Sequence, residues 1–271
     1  MWKLLKTGLA IAWYQPFAVC TLFVYNLLWG LLLYKLVRSV AVPLLHRYPG
    51  QELSREAVQL FWVEGQFQIT KTDLIHSYLW WGLGLLVARM LLSPMLNAGV
   101  YYSLHHQELN AGYRFVRGVR KLTLPFLGLY VVQMALTLAP LYFLYTRGAG
   151  SFQHHTSLEG FAWDILPLLG GFLLYNFLLQ TLFMHLQIGM VSEKPLSFSM
   201  VLLLRNAVTA VLLAAVIVLI TLILSAAVMT SAMIWAGFAT LLGFQLYRFL
   251  HMFCKMWSIT AQYAIWNAKS E

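Results

Sequence analysis

Residues 207–228 read AVTAVLLAAVIVLITLILSAAV, an uncharged run whose only polar side chains are Thr209, Thr221 and Ser225. Such a run has few homes. About 20 apolar residues in helical form span the hydrocarbon core of a bilayer. Inside lipid the backbone must satisfy its own hydrogen bonds, which a helix does. Five further stretches share this character, so the sequence predicts six transmembrane helices, at about 17–42, 74–102, 123–146, 161–190, 206–228 and 232–257. The expected fold is all-α, a polytopic integral membrane helical bundle forming a single membrane domain over residues 1–271. Only 10% of the residues are charged, too few to cover a soluble domain of this length. The net charge of +9 therefore points to loops facing an anionic leaflet, not to nucleic acid.

Lys and Arg placement sets the orientation. With the N-terminus inside, Lys3, Lys6, Arg114, Arg117, Arg120, Lys121, Lys194, Arg205, Arg248, Lys255 and Lys269 fall on the inner side, against Arg47, Arg55, Lys71 and Arg147 outside. This predicts both termini in the cytoplasm and a multi-pass protein of the cell membrane, the bacterial inner membrane. Residues 1–16 read as a retained interfacial helix, with Trp2, Leu5 and Leu9 dipping inward. Residues 53–66 read as an outer amphipathic segment with Ser54 as its N-cap. The polar run 147–160 reads as a loop, and Thr230–Ser231 as a tight hairpin between the last two spans. Ala207, Ala210 and Ala214 form a small-residue stripe suited to close helix packing. Lys35 and Arg38, toward the outer end of the first span, read as snorkelling cations.

The densest charge lies in AGYRFVRGVRKL, residues 111–122. At about 100° per residue, Arg114, Arg117, Arg120 and Lys121 fill one arc of about 120°, with Phe115, Val116, Val119 and Leu122 opposite. The segment is amphipathic and suited to a membrane surface. It serves as an orientation signal, as a surface for anionic lipid headgroups, or as a docking face for an acidic protein partner. Glu108 precedes Arg120, and Glu193 precedes Arg205, by the same spacing, a faint echo between the second–third and fourth–fifth spans.

Arg89 is the most unusual residue, because it lies well inside the second span. A central Arg costs about 2.5–3.5 kcal/mol on insertion scales and must face protein or water. Asp164, the one acid within a span, differs from it in depth by about 16 Å. Neutral amides lie at the depth of Arg89: Asn26, Gln133, Asn176, Gln180 and Gln245. These six residues outline a candidate cationic cavity for a lipid phosphate or another anionic amphiphile, or else an internal hydrogen-bond network. Pro94, Pro140 and Pro167 interrupt helices and permit kinks around it. The histidine pairs His105–His106 and His154–His155 lack accompanying carboxylates or cysteines, so no metal site is expected. No nucleophile, paired acid or phosphate-binding loop appears, which predicts no catalytic residues and no cofactor.

The stretch NAGVYYSL, residues 97–104, followed by GYRFVRGVRKLTLPFLGLYVV, residues 112–132, resembles a pattern in bacterial six-helix membrane proteins. The membrane domain attached to some glycerophosphodiesterases is one type. The resemblance covers residues 90–145 and, more faintly, 185–225. It implies an architecture. These residues include no phosphodiesterase sequence, so the resemblance implies no reaction. The expected function is non-enzymatic: an accessory or scaffold subunit of an envelope or transport system that binds anionic lipids or a membrane partner. The alternative is a small transporter using the Arg89 site.

Overall fold

The computed structural model describes residues 1–47, 74–154, 158–234 and 238–270. Among these residues all regular structure is helical. The helices are α1 (Trp2–Trp13), α2 (Pro16–Arg47), α3 (Leu74–His105), α4 (Ala111–His154), α5 (Leu158–Val191), α6 (Leu196–Arg205), α7 (Ala207–Ile234) and α8 (Phe238–Ser270). Among the described residues five stretches are long and apolar enough to cross a bilayer: Pro16–Ser39, Trp80–His105, Ala111–Gly148, Trp163–Val191 and Ala207–Ser231. Long apolar helices in this number mark a multi-pass helical membrane protein. The sixth expected span, 232–257, falls mostly in α8, whose described part is not among the five.

The chain divides into two compact units, Leu22–Ser93 and Met1–Thr21 with Pro94–Glu271. In the smaller unit α2 and α3 run antiparallel. Tyr25 Oη and Ser93 Oγ lie 3.3 Å apart, and the Tyr78 hydroxyl donates to the Ser39 carbonyl at 3.4 Å. The larger unit has its core at one end. Buried side chains come from α1 (Leu5, Ala12), the end of α3 (Ala98–Leu104), the start of α4 (Phe115, Leu122, Phe126), the end of α5 (Leu179–Val191), α6, the start of α7 (Ala210–Ile217) and the end of α8 (Met252–Trp266). Away from that end the same helices expose large apolar side chains such as Val131, Val132, Leu138, Leu173, Leu219 and Leu222. Apolar surface on this scale fits contact with lipid, which needs no polar cover.

Two close approaches build the packed end. Gly8 lies against α8: a Cβ there would stand 2.7 Å from the Ala261 Cα. The missing side chain lets the Thr260 hydroxyl donate to the Gly8 carbonyl at 2.7 Å, while the Trp257 indole N–H donates to the Leu5 carbonyl at 3.1 Å. With Trp13 against the Phe253 ring, these contacts fix α1 antiparallel to α8. Gly189 makes the second approach, because the Ser199 side chain of α6 and the Trp266 ring of α8 occupy the space a Cβ would need. Just beyond, α5 ends in a Schellman turn. Lys194 N–H donates to Gly189 O at 3.1 Å and Glu193 N–H to Met190 O at 3.3 Å, with Glu193 at φ 56°. Glycine ordinarily fills that left-handed position.

Several element boundaries differ from the sequence reading. The helix of α4 continues through 147–154, expected as part of a loop. Thr230 and Ser231 do not turn the chain, because their hydroxyls donate to Ala226 O and Val228 O at 2.8 Å and the helix runs on to Ile234. Polar side chains that bond back to their own helix are compatible with its continuation. α1 packs Leu5, Gly8 and Ala12 against α8 and leaves Trp2 and Leu9 on the exposed surface of the protein. The Ala stripe of α7 does pack, with Ala210 and Ala214 buried. The two echoing segments diverge in form: 111–122 runs unbroken into α4, while α6 stops at Arg205 and the chain breaks at Asn206 before α7. The expected outer segment 53–66 lies outside the described residues.

Candidate functional site

The basic segment begins α4, and its four cations part company. Arg117, Arg120 and Lys121 are exposed, whereas Arg114 is only 6% exposed. Arg114 is therefore not part of a headgroup surface. On the helical wheel it is the cation nearest Gly118, Leu122 and Phe115, and all three of those residues are buried. The buried sector of α4 extends over Arg114 and leaves Val116, 49% exposed, outside it. The packed face is thus rotated relative to the apolar arc, toward the side where Gly118 permits close approach.

Arg114 ties three chain segments together. Its Nη2 donates to Gln15 Oε1 at 2.8 Å, just before α2, and its Nη1 to the Gln107 carbonyl at 3.3 Å, just after α3. Gln15 is itself fastened to α3: Ser103 Oγ donates to Gln15 Oε1 at 2.9 Å, and Gln15 Nε2 donates to Ser103 O at 3.3 Å. Hydrogen bonds from a charged donor contribute about 1.5–3 kcal/mol each, so this cluster pins the basic segment. Around it, Arg117 lies over the Tyr113 ring at 6.0 Å and Lys121 pairs with Glu193 at 2.9 Å. The Lys121 ammonium holds the Glu193 carboxyl below its ordinary range, chiefly through that hydrogen bond. The result is a rigid helix start that presents Arg117 and Arg120 outward beside the 192–195 turn.

The Arg89 constellation divides between the two units. Asn26 and Arg89 belong to the smaller; Gln133, Asn176, Gln180 and Gln245 belong to the larger. Arg89 is exposed, with its guanidinium 5.7 Å from the centre of the buried Trp29 ring. Asn26 Nδ2 donates to its own helix at Leu22 O, 2.8 Å. The Thr137 hydroxyl donates to the backbone carbonyl Gln133 O at 2.9 Å within its own helix and lies 3.4 Å from Asn176 Oδ1 on α5. Gln180 and Gln245 are exposed. The structure thus sets Asn176 beside Thr137 and Arg89 against an aromatic ring.

The sequence reading missed a buried polar interior in the packed end: Gln15, Ser103, His185, Gln187, Ser199, Thr260 and Gln262. His185 Nδ1 bonds to Thr181 O at 3.1 Å and Gln262 Nε2 donates to Ala210 O at 2.9 Å. His185 Nε2 and Gln262 Oε1 are buried without a partner among the described residues. A signal was present in Thr260-Ala261-Gln262, where polar side chains flank a small residue, as at close helix crossings. The histidine pair 105–106 faces aromatic groups: His105 Nδ1 lies 3.2 Å from the Tyr263 hydroxyl, and His106 stacks on Tyr102 at 4.0 Å. Among the described residues no three His, Cys, Asp or Glu side chains converge as metal ligands would.

The chain matches no protein family, no curated protein and no solved structure.

Proposed function

We propose that this chain is a six-span membrane protein with both termini in the cytoplasm, acting by binding and not by turnover. In this reading it is an accessory or scaffold subunit of an envelope or transport system in a bacterial inner membrane, and its cytoplasmic face engages anionic lipid headgroups. The observation that carries the reading is the pinned start of α4. Arg114 is consumed in holding the segment, which leaves Arg117 and Arg120 exposed on a rigid scaffold. Each cation near an anionic leaflet contributes about 1 kcal/mol, so the two arginines together favour anionic over zwitterionic lipid by roughly 30-fold. The test is electron paramagnetic resonance on the full chain reconstituted with spin-labelled phosphatidylglycerol or phosphatidylcholine. The motionally restricted fraction should favour phosphatidylglycerol, and Arg117→Glu with Arg120→Glu should erase the preference. Equal restriction of both lipids by the unaltered chain sinks the lipid reading. A reporter fused after Glu271 that appeared outside the cell would overturn the orientation.

A second reading, a small transporter of an anionic amphiphile, draws on Arg89. It lies nine residues from Trp80 and sixteen from His105, about 14 Å and 24 Å along the helix. The Trp29 ring offsets about 0.5–2 kcal/mol of the insertion cost by cation–π attraction, less than the cost itself. A polar substrate group would supply the remainder. Cysteines introduced beside Arg89 should then react with a membrane-impermeant thiol reagent; inert cysteines on every side would exclude this reading.

A further inference from the structure

We infer that the outer ends of α2 and α3 form a binding cleft for an anionic phospholipid, separate from the basic start of α4. Within the smaller unit a cleft of about 300 Å³ opens between the two helices, lined by Lys35, Ser39, Tyr78, Trp81 and the leucines 32, 36 and 85. Its volume lies at the lower end of the range of small-molecule sites.

The lining is graded along the helices. Because α2 and α3 are antiparallel, Ser39 and Tyr78 lie at one end, joined by the hydrogen bond from the Tyr78 hydroxyl. Moving inward, Lys35 comes next, and then Leu32 beside Leu85. Polar groups therefore sit at the mouth and aliphatic groups toward the middle of the helices. An amphiphile with its phosphate at the mouth and an acyl chain running inward has the same gradient.

The depth is right for a headgroup. Lys35 follows Pro16 by nineteen residues, about 29 Å of helix, close to the thickness of a hydrocarbon core. Trp80 and Trp81, each 70% exposed, stand where interfacial aromatics belong. Lys35 is exposed, and no carboxylate pairs with it among the described residues. A long flexible stem lets its ammonium reach the mouth. A cation beside an aromatic rim suits a phosphodiester that carries net negative charge, while the Ser39 and Tyr78 hydroxyls, which donate to Leu36 O at 2.7 Å and Ser39 O at 3.4 Å, hold the mouth in shape. A zwitterionic lipid brings its own cation to the same place and gains less.

The experiment is native mass spectrometry of the full chain in detergent, carried out on the Arg117→Glu, Arg120→Glu background so that the α4 cations do not contribute. Phosphatidylglycerol, phosphatidylcholine and inorganic phosphate are titrated separately. One phosphatidylglycerol per chain should persist, with phosphatidylcholine held more weakly and inorganic phosphate not competing. Lys35→Gln should weaken phosphatidylglycerol about fivefold, and Lys35→Arg should restore it. Leu32→Trp, which fills the cleft from an exposed position, should exclude the lipid without touching the charge, and it provides the test if Lys35→Gln lowers the unfolding temperature. Unchanged phosphatidylglycerol retention in Lys35→Gln and Leu32→Trp overturns the proposal. So does equal retention of phosphatidylcholine, or displacement by inorganic phosphate.

Discussion

Substituting Gly8 by alanine probes how α1 is held. The new Cβ would stand 2.7 Å from the Ala261 Cα and 2.9 Å from the Ala261 nitrogen. Resting carbon contacts lie near 3.5–4.0 Å, so α1 must retreat by about 1 Å from a wall that is itself helix backbone. That retreat stretches the Thr260–Gly8 hydrogen bond from 2.7 Å beyond useful length and loosens the Trp257–Leu5 bond. Overpacking of this kind costs about 1–3 kcal/mol, and each weakened hydrogen bond about 0.5–1.5 kcal/mol. The better helix propensity of alanine returns about 1 kcal/mol. A net loss of about 2–4 kcal/mol is expected, a fall of about 5–10 °C in the unfolding midpoint. Gly128→Ala is the matched control, since nothing lies within 4 Å of a Cβ there and the same propensity gain should appear alone. Intrinsic tryptophan fluorescence of the full chain in detergent, followed on heating, reads both. If Gly8→Ala melts at or above Gly128→Ala, α1 does not pack on α8 through this contact.

Arg114→Lys keeps the charge but not the planar fork that reaches both Gln15 and Gln107. It should destabilise by about 1.5–3 kcal/mol, whereas Arg117→Lys should leave the same melting curve unmoved; equal effects would place Arg114 at the surface. Glu193 offers a pH test with a definite sign. Its carboxyl is held below the ordinary 4.5 by Lys121, so the pair's stabilisation is full above that value and is lost as pH falls through the lower, folded one. A carboxyl-carbon titration by nuclear magnetic resonance should move upward in Lys121→Met, and an unmoved midpoint would deny the pairing. Glu193→Gly should raise the unfolding temperature despite losing the pair, because φ 56° suits glycine and exposed ion pairs contribute little; a lower midpoint would mean that the turn is not strained.

The helical membrane character was legible because lipid leaves the backbone so few options. Residues 207–228 have no other plausible home, and α7 covers them. Helix ends were less legible. Arg147 to His154 look like loop residues, but polarity alone does not stop a helix once its end leaves the apolar region, and α4 continues through them. Arg114 was misread for a different reason. Periodicity shows which residues share an arc, yet the neighbouring helix decides how far burial extends around it, and Gly118 shifted that boundary toward the cation. The burial of Gln15, His185 and Gln262 was harder to read, because the hydrogen bonds they do make go to a carbonyl far away in sequence or on the same helix.

The antiparallel clasp of α1 on α8 has a consequence for assembly. Leu5 and Trp257 are joined across 252 positions. At roughly 5–20 residues per second of synthesis, residues 2–13 wait tens of seconds before residues 252–266 exist. Through that interval the Leu5–Gly8–Ala12 stripe lacks the α8 surface that covers it in the finished fold. Completion of the packed end is therefore a late, long-range event, and whatever delays the arrival of α8 leaves that face of the opening helix bare.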